Sequence, residues 1–360
     1  MRPNVHYTDP AVTIWHGDSI ETLRELPDNS IDSIVTDPPY GLGFMGKAWD
    51  ALPPGEEWAR ECLRVLKPGG HLLAFGRSRT WHRLAVAVED AGFEIRDSLF
   101  WHYGSGFPKS HDVGKSTGDQ KWSGWGTALK PATEPIVMAR KPLQGTVAGN
   151  VQTWGTGALN IDATRIGTTK DVPASASAPQ AGNHVGIGSV SALAERSGMD
   201  PNVGRWPANV VLDETTAEIL DQQSGITSSH VRKDGRVGQG GGAGLYNPNE
   251  GKPTRESFAP TDSGGASRFF YVAKAPKRER PVVDGIAHPT VQPLALMRWL
   301  VKLVTPPGGV VLDPFEGSGT TLEACLLEGF NHVGIEREAD YLPLIMSRVD
   351  RQAGTLPHAA

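Results

Sequence analysis

The sequence is poor in cysteine and contains no long apolar run. Only two cysteines, Cys62 and Cys325, occur among 360 residues, and each lies in an apolar pattern with helical spacing. This placement favours two core residues over a disulfide framework or a zinc site. No apolar run reaches the roughly 18 residues that a membrane-spanning helix needs, and the start of the chain, MRPNVHYTDP, lacks the apolar core of a signal peptide. We therefore expect a cytoplasmic protein that holds no metal and does not cross a membrane.

An excess of positive charge is also missing. Lys and Arg number 35 against 40 Asp and Glu, so the net charge is −5 and the composition alone does not point to a nucleic acid as partner. A global balance can conceal a basic face, and two local basic runs exist, VRKDGR at 231–236 and AKAPKRER at 273–280. Each run is either a solvated surface segment or a contact for phosphates, and composition leaves both readings open.

What the sequence does contain is an alternation of strand and helix patterns at both ends. In the N-terminal part, VTIWHGD, IDSIVTD, HLLAFG, EIRDSLFWH and EPIVMARK predict strands, and EEWARECLRVL predicts a helix that ends at KPGG. The C-terminal part continues the pattern, with the strands GGVVLDPF and NHVGIE between helical segments. This alternation predicts an α/β fold with a largely parallel sheet.

The middle of the chain, from Leu143 to Arg268, lacks this alternation. VPASASAPQAG and GQGGGAGLYNPNEG are low-complexity stretches of the flexible kind, whereas GALNIDATRIG and GRWPANVVLDE predict ordered anchors. So long a stretch with little regular structure is uncommon within a compact domain. We therefore interpret residues 143–268 as an inserted region with mobile loops.

Three strand ends carry unusual residues. The strand IDSIVT stops at Asp37, and Pro38 and Pro39 prevent it from continuing, because proline lacks an N–H group. The turn is either an ordinary strand end or a rigid device that presents Asp37 and Tyr40. The strand VVLD is followed by PFEGSG and a helix, where glycines let the backbone approach a ligand near free helical N–H groups. The strand HVGIE ends at Glu336, which is either a surface acid or an acceptor for a ribose diol.

Together these stretches resemble the amino-methyltransferases that use S-adenosyl-L-methionine to modify exocyclic amines of DNA bases. Asp37-Pro38-Pro39-Tyr40 matches the family's catalytic motif, (D/N/S)-P-P-(Y/F/W), and Phe315-Glu316-Gly317-Ser318-Gly319 matches its cofactor motif, F-x-G-x-G. The catalytic motif precedes the cofactor motif, which is the order of the family's β class.

The resemblance implies a Rossmann-like sheet of seven strands with one strand reversed, in a circularly permuted order. It implies a catalytic half at residues 1–142, a target-recognition insertion at 143–268 and a cofactor-binding half at 269–360. Asp37, Pro38, Pro39 and Tyr40 would be catalytic. The cofactor, S-adenosyl-L-methionine, would be bound by Asp18, Thr290, Asp313, Phe315, Gly317, Ser318, Gly319 and Glu336.

The implied activity is methylation of adenine N6 in double-stranded DNA after the base has been flipped out, since Asp at the first motif position is typical of adenine enzymes. The alternatives are a cytosine-N4 enzyme, an enzyme acting on RNA or a protein amide, and a non-catalytic DNA-binding protein with the same fold. We allow for a homodimer, and we expect any restriction nuclease to be a separate chain. Two departures from the family pattern, Gln292 in place of Lys and Glu316 in place of Ala, are expected to make the pocket more negative.

Overall fold

The structure, a computed structural model, describes residues 3–41, 54–108, 110–167, 204–228, 263–273 and 279–353. The two low-complexity stretches, at 172–182 and 238–251, and the basic run at 231–236 lie outside the described residues, as do residues 274–278 of the second basic run.

Helices and strands alternate along most of the described chain. The strands are β1 (Asn4–Thr8), β2 (Val12–His16), β3 (Ile31–Thr36), β4 (Leu66–Phe75), β5 (Glu94–His102), β6 (Thr133–Arg140), β7 (Val210–Asp213), β8 (Thr227–Ser228), β9 (Ser263–Gly264), β10 (Tyr271–Ala273), β11 (Val282–Val283), β12 (Ile286–Ala287), β13 (Val310–Asp313) and β14 (Asn331–Glu336). The α-helices are α1 (Ser19–Glu25), α2 (Glu56–Val65), α3 (Trp81–Asp90), α4 (Val113–Thr117), α5 (Val147–Trp154), α6 (Glu214–Ser224), α7 (Leu294–Val304), α8 (Thr320–Glu328) and α9 (Leu342–Ala353).

Ten of the described strands form one sheet, in the order β1-β2-β14-β13-β3-β4-β6-β5-β7-β10. The seven strands from β2 to β5 in this order are parallel, apart from β6, which runs antiparallel to both of its neighbours. The expected Rossmann-like α/β fold with one reversed strand is therefore confirmed, and β1, β7 and β10 widen the sheet beyond seven strands.

The two halves of the chain meet at the centre of the sheet. β3 pairs with β13 in parallel, with Val311 opposite Ser33 and Leu312 opposite Ile34. The strand that precedes Asp37 thus lies beside the strand that precedes Phe315, as the circularly permuted order requires.

Both faces of the sheet are buried, which explains why its strands read as continuous apolar runs. Ile34 of β3 packs into a cluster with α1, α2 and α3, whereas the next residue, Val35, packs into a second cluster with α7 and α8. Cys62 lies in the first cluster and Cys325 in the second, and both are fully buried free thiols. The prediction that both cysteines are core residues is confirmed.

The KPGG segment is part of β4, although the sequence predicts it only as the end of a helix. Between the pairs Ile31–Leu66 and Ser33–His71, the β4 strand carries extra residues, so the segment forms a bulge. Gly69 adopts a φ of 79° there, and a Cβ at this position would lie 2.5 Å from Asn150 Nδ2. Glycine is thus required both by the backbone conformation and by the close packing.

The described parts of the region 143–268, at 143–167, 204–228 and 263–268, hold more regular structure than the sequence predicts. Helix α5 packs on β4, and the side-chain amide of Asn150 donates to the carbonyls of Pro68 and Thr156 at 2.8 and 2.7 Å. Further on, β7 pairs with β5 and extends the main sheet. Apolar residues of β7 such as Val211 join the core, so burial stabilises these short segments although their sequence periodicity is weak.

Among the described helices, none combines the length and the apolarity needed to cross a membrane.

Candidate functional site

A cleft of about 1660 Å³ opens where the parallel strands of the sheet end. Its walls come from the segments that follow β2, β3, β4, β5, β13 and β14, together with the start of β6, which reaches the same edge because this strand is reversed. The carboxyl edge of an open α/β sheet is the usual position of a ligand site. All the predicted site residues except Gly319 line the cleft: Asp18, Asp37, Pro38, Pro39, Tyr40, Thr290, Asp313, Phe315, Gly317, Ser318 and Glu336.

Asp37 is held by a neighbour at each carboxylate oxygen. The Tyr40 hydroxyl donates to Oδ1 at 2.6 Å, and the Gln292 amide donates from Nε2 to Oδ2 at 2.9 Å. Each carboxylate oxygen retains acceptor capacity after one such bond. The turn that begins with Asp37 therefore presents a fixed acceptor to the cleft.

Tyr40 is fixed on both its ring and its hydroxyl. The Arg77 guanidinium lies over the ring, 5.7 Å from its centroid. Burial and the charge of Asp37 raise the Tyr40 pKa well above its usual value, so the hydroxyl stays protonated and remains a donor. An aromatic face held in this way suits the stacking of a planar ligand.

Glu134, the second residue of β6, brings a further carboxyl group into this part of the cleft. Its side chain is buried, and it accepts a hydrogen bond from Gln292 Nε2 at 3.3 Å. Burial, and next the charge of Asp37, raise the pKa of Glu134 to about 7, whereas Arg77 and Gln292 oppose that shift. Near neutral pH the Glu134 carboxyl can therefore exist in either form.

Asp313 ties the glycine loop, residues 314–319, to the strand end that leads into the turn at 37–40. It accepts from Thr36 Oγ1 at 2.6 Å and from the Phe315 amide at 3.0 Å on Oδ1, and from Thr321 Oγ1 at 2.5 Å on Oδ2. Burial, and next the charge of Glu316, raise its pKa to about 7. Asp313 lines the cleft, but most of its acceptor capacity is used to brace the loop.

Two glycines of the loop lie where a side chain would not fit. Gly317 has a φ of 58°, and a Cβ there would lie 3.2 Å from His288 Nε2. Gly319 has a φ of 81°, and a Cβ there would lie 3.2 Å from Arg348 Cδ. Gly319 begins α8 and lets that helix pack against α9, behind the cleft wall.

Glu336 lies directly beside the glycine loop, as the sequence predicts. Its Oε2 accepts from the Gly317 amide at 2.7 Å, and its Oε1 accepts from the Glu338 amide at 2.6 Å. Burial raises the pKa of Glu336 to about 8. This acid is therefore a buried part of the site, and the reading of it as an ordinary surface acid is wrong.

Asp18 and Thr290 complete the side of the cleft next to the glycine loop. Asp18 caps α1 by accepting from the Ile20 and Glu21 amides, and both bonds use Oδ1, which leaves Oδ2 to a ligand. His288 Nδ1 contacts the main chain of Thr290, with the carbonyl oxygen as its nearest partner. His288 is thereby held over Gly317.

The expectation that Glu316 makes the pocket more negative is wrong at neutral pH. Its Oε2 shares a hydrogen bond of 2.7 Å with Nε2 of His332, and both side chains are fully buried. Burial raises the pKa of Glu316 to about 8 and lowers that of His332 to about 4. Both groups are therefore neutral near pH 7, and the pair supports the loop from inside the protein.

The sequence motifs do not identify four further residues of the cleft lining, Arg77, Tyr103, Glu134 and His288. The sequence does offer one clue to Glu134. It is the one charged residue near the start of EPIVMARK, a strand that is buried from Glu134 onward. Charged side chains are rarely buried without a functional or pairing reason.

The described residues between β5 and β6, 103–108 and 110–132, form an arm. Its two ends, at 105–107 and 127–132, line the cleft. Exposed apolar side chains lie on these ends, with Phe107 80% and Leu129 92% exposed, and on the outer part, with Trp125 60% exposed. The rings of Trp122 and Trp125 pack edge to face with centroids 5.3 Å apart. The arm thus extends an aromatic surface from the mouth of the cleft.

Comparisons with known proteins agree with this geometry. A family model described as DNA methylase, N6_N4_Mtase, matches residues 31–347. The type II methyltransferase M.HindIII of Haemophilus influenzae is 26% identical and aligns over 93% of this chain and 94% of its own length. The type II methyltransferase M.ScaI of Streptomyces caespitosus is 23% identical, over 98% and 85%.

Solved structures of methyltransferases also align over most of the chain. The cytosine-N4-specific PvuII DNA methyltransferase aligns with a TM-score of 0.48 at 16% identity, over 99% of this chain and 92% of that one. M1.HpyAVI aligns with a TM-score of 0.45 at 17% identity, over 94% and 98%.

Proposed function

Because this chain belongs to the N6/N4 family of DNA methylases, we propose that it transfers a methyl group from S-adenosyl-L-methionine to the N6 amine of adenine in double-stranded DNA. One observation carries the proposal. Asp37, braced by Tyr40 and Gln292, lies beside a glycine loop that Thr36 and Asp313 join to the catalytic turn. Acceptor and loop thus open into the same cleft.

The cleft residues fit the cofactor. Gly317 leaves space that a Cβ would fill, Glu336 offers acceptors beside it, and Asp18 retains Oδ2 for a donor. When bound, the cofactor supplies an electrophilic methyl group on a cationic sulfonium. We assign its binding to Asp18, Thr290, Asp313, Phe315, Gly317, Ser318 and Glu336. Gly319 acts behind them by placing α8.

The catalytic turn prepares the amine. The lone pair of an exocyclic amine is delocalised into the ring, which makes the nitrogen a poor nucleophile. Asp37 accepts one N–H and the Pro38 carbonyl accepts the other, so that the nitrogen becomes tetrahedral and its lone pair is freed. Pro39 makes this turn rigid, and a misplacement of about 1 Å can cost roughly 100-fold in rate.

The target base must leave the duplex, because its amine is otherwise out of reach of a cleft. We assign the ring of Tyr40 to stacking on the flipped base. The arm, with its exposed Trp122 and Trp125, lies at the mouth of the same cleft and provides a surface for the surrounding DNA. We assign recognition of the DNA sequence to the region 143–268. We also propose that any restriction nuclease is a separate chain and that the protein can form a homodimer.

Cytosine N4 is the second candidate target, because cytosine offers Asp37 and Pro38 the same amine beside a ring nitrogen. A non-catalytic DNA-binding role is disfavoured by the intact bracing of Asp37. The test is to incubate the protein with isotopically labelled S-adenosyl-L-methionine and genomic DNA, and then to identify the methylated nucleoside by mass spectrometry. We expect to find N6-methyldeoxyadenosine. Detection of N4-methyldeoxycytidine would instead identify cytosine as the target base. Cofactor binding without any methylated nucleoside would overturn the proposal of activity.

A further inference from the structure

We infer that Glu134, positioned by Gln292, contacts the target base directly and donates a hydrogen bond from its protonated carboxyl to the ring nitrogen beside the reacting amine. That nitrogen is N1 in adenine and N3 in cytosine. The inference rests on the proposed function, since it assigns a further residue to the same base-binding site.

The position of Glu134 sets it apart from the other acids of the sheet. It lies on the reversed strand β6, which begins at the cleft, and its side chain is 8% exposed while it still lines the cleft wall. No Lys, Arg or His of the described chain lies within ion-pair distance of it. A buried carboxyl without a cation is costly in its charged form, so this position favours a neutral acid.

Gln292 connects Glu134 to the catalytic turn. Its Nε2 donates both to Asp37 Oδ2 at 2.9 Å and to Glu134 Oε2 at 3.3 Å. One nitrogen atom therefore bridges the two carboxyl groups, so that a base bound by Asp37 also lies within reach of Glu134. Because the bridge is a neutral amide, it aligns both acids without supplying the positive charge that would keep both ionised.

The groups around Glu134 act in opposite directions on its proton. Burial and the Asp37 charge raise the pKa of Glu134 to about 7, whereas Arg77 and the Gln292 amide oppose that shift. The phenols of Tyr40 and Tyr103 also face it, and its charge in turn raises their pKa values. A base entering the cleft would exclude water and favour the neutral acid further, whereas a bound sulfonium would favour the anion.

The chemistry of the base requires such a donor. The acceptors Asp37 and Pro38 can bind only the amine, and the Tyr40 hydroxyl already donates to Asp37. The ring nitrogen next to the amine in adenine or cytosine is an acceptor, and a neutral carboxyl supplies the matching O–H. Guanine N1 and thymine N3 carry a hydrogen instead, so the same donor would oppose them. Glu134 would thus select for the two bases that carry a suitable amine.

Two substitutions separate this role from its alternatives. Glu134→Gln keeps the shape and a permanent donor, whereas Glu134→Ala removes the donor. At saturating cofactor, we expect the wild-type kcat/KM for DNA to fall about tenfold per pH unit above the apparent pKa of Glu134. The kcat/KM of Glu134→Gln should not change over the same pH range. Glu134→Ala should lose about tenfold or more at neutral pH, which is typical of a buried acceptor left without its hydrogen bond.

A base analogue tests the contact itself. In DNA that carries 1-deazaadenine at the target, or 3-deazacytosine if cytosine is the target, the ring acceptor is absent. The wild type should lose about tenfold on this DNA, and Glu134→Ala should lose little more than it has already lost. Cofactor binding by calorimetry should be the same in all three proteins. As a control, Asp32→Asn alters a buried acid on β3 that pairs with Lys67 outside the cleft lining, and its pH profile should keep the wild-type shape.

The outcomes are distinct. If Glu134→Gln loses as much activity as Glu134→Ala, Glu134 acts as an anion and the inference is wrong. The inference is equally wrong if the wild type methylates the deaza DNA as fast as ordinary DNA. It is also wrong if the deaza base lowers the activity of Glu134→Ala and of the wild type by the same factor. A wild type that binds the cofactor but methylates no DNA would instead overturn the proposed function.

Discussion

Thr36 Oγ1 donates a hydrogen bond of 2.6 Å to Asp313 Oδ1, across 277 positions of the chain. Thr36 is the last residue of β3 and Asp313 the last residue of β13, so this bond joins the catalytic turn to the glycine loop. The bond is buried, where it is screened little by water. The relative position of the two proposed sites, for the base and for the cofactor, therefore depends on the sheet itself.

Asp37→Ala should abolish methyl transfer while leaving cofactor binding nearly unchanged. The substitution removes the acceptor for the amine, whose loss should cost several kcal/mol in the transition state, and Asp37 contacts Tyr40 and Gln292 rather than the glycine loop. Single-turnover transfer and calorimetric titration with the cofactor measure the two effects separately. Activity within a few-fold of the wild type would contradict the role of Asp37.

Glu336→Ala should weaken cofactor binding by about 1–3 kcal/mol, the usual cost of leaving a buried hydrogen-bonding group without its partner. The substitution also removes the acceptor for the Gly317 amide, so the loop itself should loosen. The matched control is Asp340→Ala, which removes an exposed acid near the same strand end but outside the cleft lining. Equal affinities of the two variants in calorimetry would show that Glu336 does not contact the cofactor.

The central part of the fold and the meeting of the two motifs can be predicted from sequence. Buried parallel strands appear as short apolar runs, and Asp37, Asp313 and Glu336 each end one of them, so a parallel sheet brings all three to one edge. The short strands β7 and β10 escape prediction because they form by pairing at the edge of the sheet, β7 with β5 and β10 with β7, rather than by a pattern of their own.

The parts of the site that escape prediction depend on direction and on pairing. Glu134 reaches the cleft only because β6 is reversed, and the sequence of a single strand does not encode its direction. The charge of Glu316 is misjudged because its burial, against His332 of the neighbouring strand, follows from the fold and not from the motif. Contacts between side chains of different strands appear only once the register is known.

The neutral pair formed by Glu316 and His332 should make stability depend on pH. The pKa of Glu316 is about 8 in the folded protein and about 4.3 in an unfolded chain. The folded state therefore holds the proton more tightly, and stability is lost as pH rises through this interval. Glu316→Gln cannot ionise, so its melting temperature relative to the wild type should rise between pH 6 and pH 9.

Glu89→Gln is the control, because it makes the same change of side chain at an exposed position on α3. Calorimetric melting at several pH values measures both variants. A difference between Glu316→Gln and the wild type that does not change with pH would mean that Glu316 is ionised in the folded protein.

Exchange of residues 143–268 with those of a relative should move the methylated sequence but keep the methylated base. The groups assigned to the chemistry lie before and after this region, and loops on a rigid scaffold usually carry specificity. Sequencing of DNA from cells that express the chimera reads out the site and the base together. An unchanged site in an active chimera would place recognition elsewhere, with the arm as the next candidate.

Trp125→Ala should weaken DNA binding about tenfold without altering cofactor binding. Trp125 is 60% exposed on the arm and packs on Trp122, and the loss of one aromatic surface for a base costs about 1–3 kcal/mol. Because aromatic stacking depends little on the identity of the base, the loss of affinity should be similar for specific and unspecific duplexes. Leu327→Ala is the control, since Leu327 is an apolar side chain 40% exposed on α8, outside the cleft lining, the arm and the region 143–268.

Lys115→Gln tests the same surface by charge, because Lys115 is exposed on α4 within the arm. If the arm follows the DNA backbone, this variant should reduce the slope of log affinity against log salt concentration by about one. Fluorescence anisotropy at several salt concentrations measures affinity and slope for all these variants. If Trp125→Ala and Leu327→Ala bind DNA equally well and Lys115→Gln leaves the slope unchanged, the duplex does not lie against the arm.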